Sequence, residues 1–260
     1  MEELIRLEEV IVHSGTFEVL KNLSVGIFKG QSTVIMGPSG CGKTTLLKVA
    51  AGIVPPDQGR VYLGGTDLFR ISEKKMLEYR KHNGFVFQNA VLWANRSIFE
   101  NLALPIQLHY RKLPGEEIRK KVHKALSEMD MLESASLRPS QLSFGERKVI
   151  SFLRATILDP QVLYMDDPTP FIDHTLIEKI MSRIKELRSG GCTIIAVTHD
   201  ARLTALIADF LIIMGKGEIL EAGSIDNVRK STNPKVIQIL SEVLSEAATY
   251  DTDLLDLLGG

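Results

Sequence analysis

Alternating strands and helices around one glycine-rich turn predict an α/β fold with a mainly parallel core sheet. Three observations carry that prediction. A short apolar run at residues 31–36 leads directly into Gly37-Pro-Ser-Gly-Cys-Gly-Lys-Thr-Thr45 and then into a helix. Strand and helix patterns alternate again over residues 161–214, the arrangement that builds parallel βαβ units. Between them, over about 89–159, the pattern turns mostly helical and reads as an inserted subdomain.

Taken in order, residues 4–13 and 19–28 are rich in Val, Ile and Leu, with Ser14-Gly15 as a turn between them, and predict two strands. A helix should run from Lys43 to about Ala51, stopped by Gly52 and Pro55-Pro56. Residues 60–68 read as a strand and turn, and 72–81 as a helix with a serine cap. In the middle region, residues 97–109 form a helix that Pro105 should interrupt. Residues 114–130 place Ile118, Val122, Leu126 and Met129 on one helix face, and 144–158 form a third helix. Strands are expected at 161–165, 193–197 and 210–214, with helices at 175–189 and 201–208. Beyond Gly223 the chain should be helical to about Ala248, then short and acidic.

The 260 residues carry 31 Lys+Arg against 32 Asp+Glu, a net charge of −1. That balance lacks the footprint of a protein that grips a nucleic-acid backbone, so no nucleic-acid partner is expected. The basic run Arg119-Lys120-Lys121 with Lys124 reads as a solvated helix face. At 44% apolar residues the chain can bury a substantial core, as one large domain or one domain with an extension. Two cysteines, Cys41 and Cys192, make no disulfide scaffold and point to a reducing compartment. The first ten residues lack the apolar stretch of a secretory signal, and no apolar run approaches the ~18 residues that span a bilayer. A soluble, cytosolic chain is therefore expected.

Gly37 to Thr45 matches G-x-x-x-x-G-K-[ST] in the strand-to-helix setting where such a loop (a P-loop) cradles polyphosphate. Gly37, Gly40 and Gly42 let backbone N–H groups turn inward, with Pro38, Ser39 and Cys41 completing the loop. Lys43 offers a cation to the β- and γ-phosphates and Thr44 a hydroxyl to Mg2+. The helix N-terminus that carries Thr45 adds its partial positive charge. A glycine-rich turn with a fortuitous lysine is the alternative, and the strand and helix on either side speak against it. Cys41 is expected to be a small filler. Later in the chain, an apolar strand ends in Asp166 and Asp167. Asp166 suits water-mediated Mg2+ binding, and Asp167 sits where a general base or water-orienting group would be. Ser143, heading a predicted helix, can cap it or donate to a phosphate. His199 follows another buried strand and should reach the C-terminal sheet edge, where α/β sheets bind ligands. Taken singly, the aspartates are as readily a strand-ending turn, while a cap and a structural histidine are the more frequent readings of Ser143 and His199.

Together the residues resemble the ATP-binding cassette (ABC) ATPases over nearly the whole chain to about residue 228. The family's other motifs occur in its order. Gln88 matches the Q-loop residue, Leu142-Ser143-Phe144-Gly145-Glu146 the signature, Asp166 the Walker B aspartate, Asp173 the D-loop aspartate and His199 the switch histidine. The resemblance implies a P-loop NTPase of the ABC type over 1–228, with an N-terminal antiparallel β subdomain and a helical insertion at about 89–159. Residues 229–260 are then a C-terminal helical extension and acidic tail. It implies ATP and Mg2+, the metal held by Thr44, Gln88 and Asp166, and catalysis through Asp167, His199 and Gln88 by positioning and charge stabilisation. It also implies a head-to-tail homodimer in which the P-loop of one copy faces the signature of the other, with Ser143, Gly145 and Asp173 as nucleotide contacts.

Departures from the family pattern are informative. Asp167 replaces a glutamate, which withdraws the carboxylate by ~1.5 Å and predicts slow hydrolysis unless the backbone compensates. Phe144 replaces a glycine, Glu146 a glutamine, and Thr169-Pro-Phe-Ile-Asp173 a loop of small residues. The aromatic that stacks on adenine should fall near His13 or Ser14; His13, or Phe17 in a remodelled loop, is expected to serve. The segment after Gln88 looks like the groove that receives a permease's cytoplasmic helix, with Trp93 and Phe99 as apolar anchors; interior packing is the alternative. That segment, Glu100 to Pro105 and Asn233 to Leu240 are similar to the ATPases of MCE-type (Mla-like) phospholipid transporters. This implies a subunit peripheral on the cytoplasmic face of the inner membrane, bound to an integral-membrane permease and an MCE-type substrate-binding protein. Residues 229–260 then contact a partner or pack as a surface helix. An importer ATPase for a small polar solute and a weakly hydrolysing regulatory cassette are the alternatives. A soluble ABC protein acting on ribosomes or DNA is disfavoured by the single cassette and the neutral charge.

Overall fold

The computed structural model describes residues 2–248, and the acidic tail lies outside them. The chain begins with β1 (Glu3–Ser14), β2 (Phe17–Phe28), β3 (Ser32–Met36), α1 (Lys43–Ala50), β4 (Gln58–Leu63), β5 (Thr66–Asp67), α2 (Glu73–Lys81) and β6 (Asn83–Val86). The helices α3 (Ile98–His109), α4 (Gly115–Glu128) and α5 (Phe144–Thr156) follow, with two 3-10 turns before α5. Then come β7 (Val162–Asp166), α6 (His174–Ser189), β8 (Thr193–Val197), α7 (Ala201–Ile207), β9 (Phe210–Gly215), β10 (Glu218–Ser224), α8 (Ile225–Val228) and α9 (Pro234–Ala248).

Four strands form an antiparallel sheet in the order β2-β1-β4-β5, and six form a second sheet in the order β10-β9-β3-β8-β7-β6. In the second sheet every pairing is parallel except β9 with β10. All five residues of β3, β7 and β8 are buried, as expected of parallel strands covered on both faces. Their side chains alternate between two cores. Ile35, Tyr164 and Ile195 pack toward α1 and the antiparallel sheet, while Val34, Leu163 and Ile194 pack toward α3 to α7.

Register then fixes where the strands end. Val34, Ala196, Met165 and Val86 lie in one row across β3, β8, β7 and β6. Two or three residues beyond it come Gly37, His199, Asp167 and Gln88, so four residues far apart in sequence meet along one sheet edge.

Three expectations are corrected. Pro105 does not interrupt α3, which runs unbroken through it. Buried Ile98, Leu102 and Ile106 and the Ser97–Glu100 capping box hold that helix, and outweigh the one backbone bond a proline removes. β6 and β10 are strands that were not expected. β6 opens on Asn83-Gly84, a turn signal, and β10 is a charged edge strand without an apolar run. Helix does resume just past Gly223, at Ile225, but it is not continuous to Ala248: residues 229–233 separate α8 from α9. No helix among the described residues is long and apolar enough to cross a membrane.

Asn101 is 1% exposed and holds the turn before α3. Its Oδ1 accepts from the Trp93 N–H at 2.8 Å, and its Nδ2 donates to Ser97 O at 2.9 Å and Trp93 O at 3.2 Å. Asn101→Ala leaves the Trp93 N–H without its partner, since Ser97 O and Trp93 O keep the Asn101 and Arg96 N–H groups, and should destabilise the fold by about 1–3 kcal/mol, read as a lower urea midpoint.

Candidate nucleotide-binding site

The loop from Gly37 to Gly42 owes its shape to glycines at two places. Gly37 (φ +151°) passes so close to Met214 O that an added Cβ would lie 2.3 Å from it, and Gly42 (φ +105°) would meet Val19 O at 2.9 Å. Any side chain there would push the loop off the sheet. Cys41 is buried beneath the loop, where burial pushes its thiol pKa up, so it serves as the expected inert filler. Pro38, Ser39 and Gly40 are exposed. Lys43, 7% exposed, donates to Gly37 O at 2.7 Å and Pro38 O at 2.9 Å, which holds its ammonium inside the turn. Thr44 and Thr45 fill the first turn of α1, whose N–H groups face the loop.

Thr44 Oγ1 donates to Asp166 Oδ1 at 2.8 Å. A hydroxyl and a carboxylate side by side are the hard oxygen donors that Mg2+ takes together with phosphates. Burial raises the Asp166 carboxyl, while the Thr44 hydroxyl and then Lys48, Lys148 and Lys43 draw it back. A divalent cation would offset that burial penalty, so the residues present fit the ion. Gln88 stands exposed on the turn after β6, beside the end of β7 by register.

Asp167 sits in the left-handed region (φ +49°), and its N–H donates to Val197 O at 2.8 Å. Its Oδ1 is buried without a hydrogen-bond partner. Burial is the main cause that raises its carboxyl; the Lys148 and His199 side chains draw it down and Asp166 pushes it up. A carboxylate so placed can orient or deprotonate a water. His199 is exposed on the same edge and lines a cavity of about 330 Å3 with Asp167, Phe171, Asp200 and Arg202.

Sequence reasoning missed Lys148. It is 2% exposed on α5, and its Nζ donates to the Asp167 carbonyl at 2.5 Å. Burial lowers its pKa, and the two aspartates raise it. The signal was available: Gly145, Lys148, Val149, Phe152, Leu153 and Thr156 form one buried stripe, and a lysine on such a stripe needs a partner.

Ser143 caps α5. Its Oγ accepts from the Glu146 N–H at 3.2 Å, and Glu146 Oε2 accepts from the Ser143 N–H at 2.7 Å. The glutamate thus completes a capping box, and the serine keeps its own O–H to donate. Gly145 is required by packing, since a Cβ would lie 2.3 Å from Phe171 O. Phe144 packs edge-to-face on Phe171, centroids 5.4 Å apart, so the two aromatic departures touch. Asp173 caps α6, accepting from the Leu176 N–H at 3.0 Å. His13 is tied to Asp57, which accepts its backbone N–H at 2.6 Å and lies 3.1 Å from Nδ1. Phe17, not His13, lines a cavity that reaches Pro38 to Cys41. Trp93 is 57% exposed, whereas Phe99 is half-buried with its ring edge-to-face against His123. Of the two expected anchors, Phe99 therefore belongs to interior packing.

A P-loop against a paired hydroxyl and carboxylate, on an α/β sheet with a helical insertion, defines a nucleotide-hydrolysing cassette. The family described as ABC transporter matches residues 20–170. The chain is 35% identical over 240 residues, 92% of its length and 90% of the relative's, to the intermembrane phospholipid transport system ATP-binding protein MlaF of Haemophilus influenzae. It is 34% identical over 257 residues to the sulfate/thiosulfate import ATP-binding protein CysA of Acinetobacter baylyi, covering 97% of this chain and 71% of that one. A dimeric ATP-binding cassette solved in a post-hydrolysis state with ADP and Pi superposes with a TM-score of 0.78 at 30% identity, covering 85% of this chain and 98% of that one. The chain belongs to the ABC transporter family and is an ATP-hydrolysing cassette.

Two outcomes follow for the buried charges. Lys148→Met removes a cation that draws the Asp167 pKa down, so the acid limb of the ATPase pH profile should move to higher pH, while Lys148→Arg keeps it in place. Asp167→Asn should raise the urea midpoint at neutral pH, because a carboxyl whose folded pKa is raised costs stability when ionised. That gain should fade as pH falls through the folded pKa and vanish below the unfolded value.

Proposed function

We propose that this chain is the ATPase subunit of a phospholipid transporter of the MCE/Mla type, working as a head-to-tail homodimer on a membrane permease. The observation that carries the reading is the extent of the likeness to MlaF. The two chains are 35% identical over 90% of that relative's length, against 34% over 71% for CysA and 31% over 94% for the arginine transport ATP-binding protein ArgV of Corynebacterium glutamicum, so MlaF combines the higher identity with near-full length. The exposed Trp93 supports a permease contact. So does the turn before it, where Ala90 (φ +64°) and Val91 (φ +44°) are both left-handed and Arg154 donates to Val91 O at 2.9 Å. Strain of this kind persists only where surrounding groups enforce it, and it collects at active sites, ligand clamps and switch regions. A permease places the chain at the cytoplasmic face of the inner membrane, with an MCE-type protein as the substrate-binding partner.

In this reading the P-loop amides and Lys43 bind the β- and γ-phosphates, and Thr44, Asp166 and Gln88 hold Mg2+. The ion, when bound, neutralises charge on the phosphate oxygens. Asp167 orients the attacking water and accepts its proton, with Lys148 fixing the Asp167 carbonyl so that the shorter side chain is aimed by its backbone. His199 stands across the cleft, where it can donate to the γ-phosphate. Ser143 and Gly145 of a second copy complete the phosphate shell, and Asp173 takes part as the cap that orders the loop behind it. The cassette is divided at about residue 228 from its C-terminal extension.

Phosphate release from Mg-ATP tests the catalytic part. Lys43→Ala and Asp167→Asn should each reduce it by about 10²-fold or more. A wild type that binds ATP and releases nothing, while Asp167→Glu turns over, would favour a regulatory cassette. With the co-expressed permease in vesicles, ATP should drive transfer of a labelled phospholipid; ATP-driven sulfate or amino-acid uptake would instead identify an importer.

A further inference from the structure

We propose that α9, the C-terminal helix, forms one wall of the nucleotide base pocket. The inference rests on the ATPase reading and extends it to a segment outside the catalytic motifs. A cleft of about 580 Å3 opens beside the P-loop, within the range that small-molecule sites occupy. Pro38 to Cys41 form its floor, Phe17 and Val19 of β2 one wall, and Lys235, Gln238, Ile239 and Glu242 of α9 the other. It is thus continuous with the loop that holds the phosphates.

The position of α9 follows from its own burial pattern. Val236 and Ile239 are buried (0% and 7% exposed) and seat the helix on the core. Residues 235, 238 and 242 fall on a second stripe at i, i+3 and i+7, and all three are exposed. The chemistry of the two walls suits a purine nucleoside. The Phe17 ring is 66% exposed at the start of β2, an apolar face on which a base can stack, while His13 is committed to Asp57. Gln238, whose Nε2 donates to Glu242 Oε1 at 3.1 Å, carries both a donor and an acceptor, the pair an adenine edge needs. Lys235 lines the same wall, on the side of the cleft that a ribose would occupy.

Calorimetric titration with ATP and with inorganic tripolyphosphate, both with Mg2+, separates the base from the phosphates. Phe17→Ala should weaken ATP binding about tenfold, Gln238→Ala and Lys235→Ala by about threefold or more, and Phe17→Tyr should restore it. None should change tripolyphosphate binding. All three positions are exposed, so the variants should fold. Wild-type affinity for ATP in the Gln238→Ala and Lys235→Ala variants would overturn the proposal. So would equal losses for both ligands. Lys43→Ala should lose both ligands whatever the α9 variants do. Failure of the wild type to bind either would sink the ATPase reading itself.

Discussion

The parallel pairing of β3, β8, β7 and β6 decides where all the chemistry of this protein lies. These strands bury every side chain of β3, β7 and β8, so their register cannot slip without exposing apolar surface. Because the row through Val34, Ala196, Met165 and Val86 is fixed, the residues that emerge just past it are fixed too. The P-loop, Asp166, Asp167, His199 and Gln88 converge for this reason. Asp166 is the last paired residue of β7 and the Asp167 N–H still bonds to Val197 O, while the P-loop, His199 and Gln88 lie past the ladder.

Bringing carboxylates to that edge has an energetic consequence. Asp166 and Asp167 are both driven toward the neutral form by burial, and only Asp166 finds a protein hydrogen bond, from Thr44. Lys148, buried behind them, supplies the compensating charge and a donor to the Asp167 carbonyl. Asp167 is thereby held in a left-handed conformation with an unpartnered oxygen. Such a group costs stability in the folded chain and is useful only if a ligand or water completes it. Burial that weakens the fold here is the same burial that makes the carboxylate a better base.

The P-loop was legible in the sequence because its chemistry is local: spacing, glycines and the flanking strand and helix lie within a dozen residues. Ser143, Asp166 and His199 were legible in position, but their meaning depended on one another. Lys148 was not found, because its partner is a backbone carbonyl on another element. β6 and β10 escaped because a four-residue strand opening on Asn-Gly and a charged edge strand carry no periodic signal. Pro105 misled in the other direction, since its local cost was outweighed by tertiary packing of Ile98, Leu102 and Ile106.

Phe144 and Phe171 each looked like damage to a motif when read singly. In three dimensions they are one feature: two rings edge-to-face at 5.4 Å, above a glycine whose Cβ would strike the Phe171 carbonyl. Phe171 is held at φ +67°, a conformation that costs a bulky residue about 1–2 kcal/mol. The aromatic contact, worth about 0.5–1.5 kcal/mol, is of a size to offset that strain. With Lys148 bonded to Asp167, the first turn of α5 is fastened to the 167–171 loop at three points: Phe144, Gly145 and Lys148. The N-terminal part of α5 and the Asp167 carboxylate therefore form one mechanical unit. In the proposed reaction, whatever draws Ser143 toward a phosphate also moves the backbone that aims Asp167.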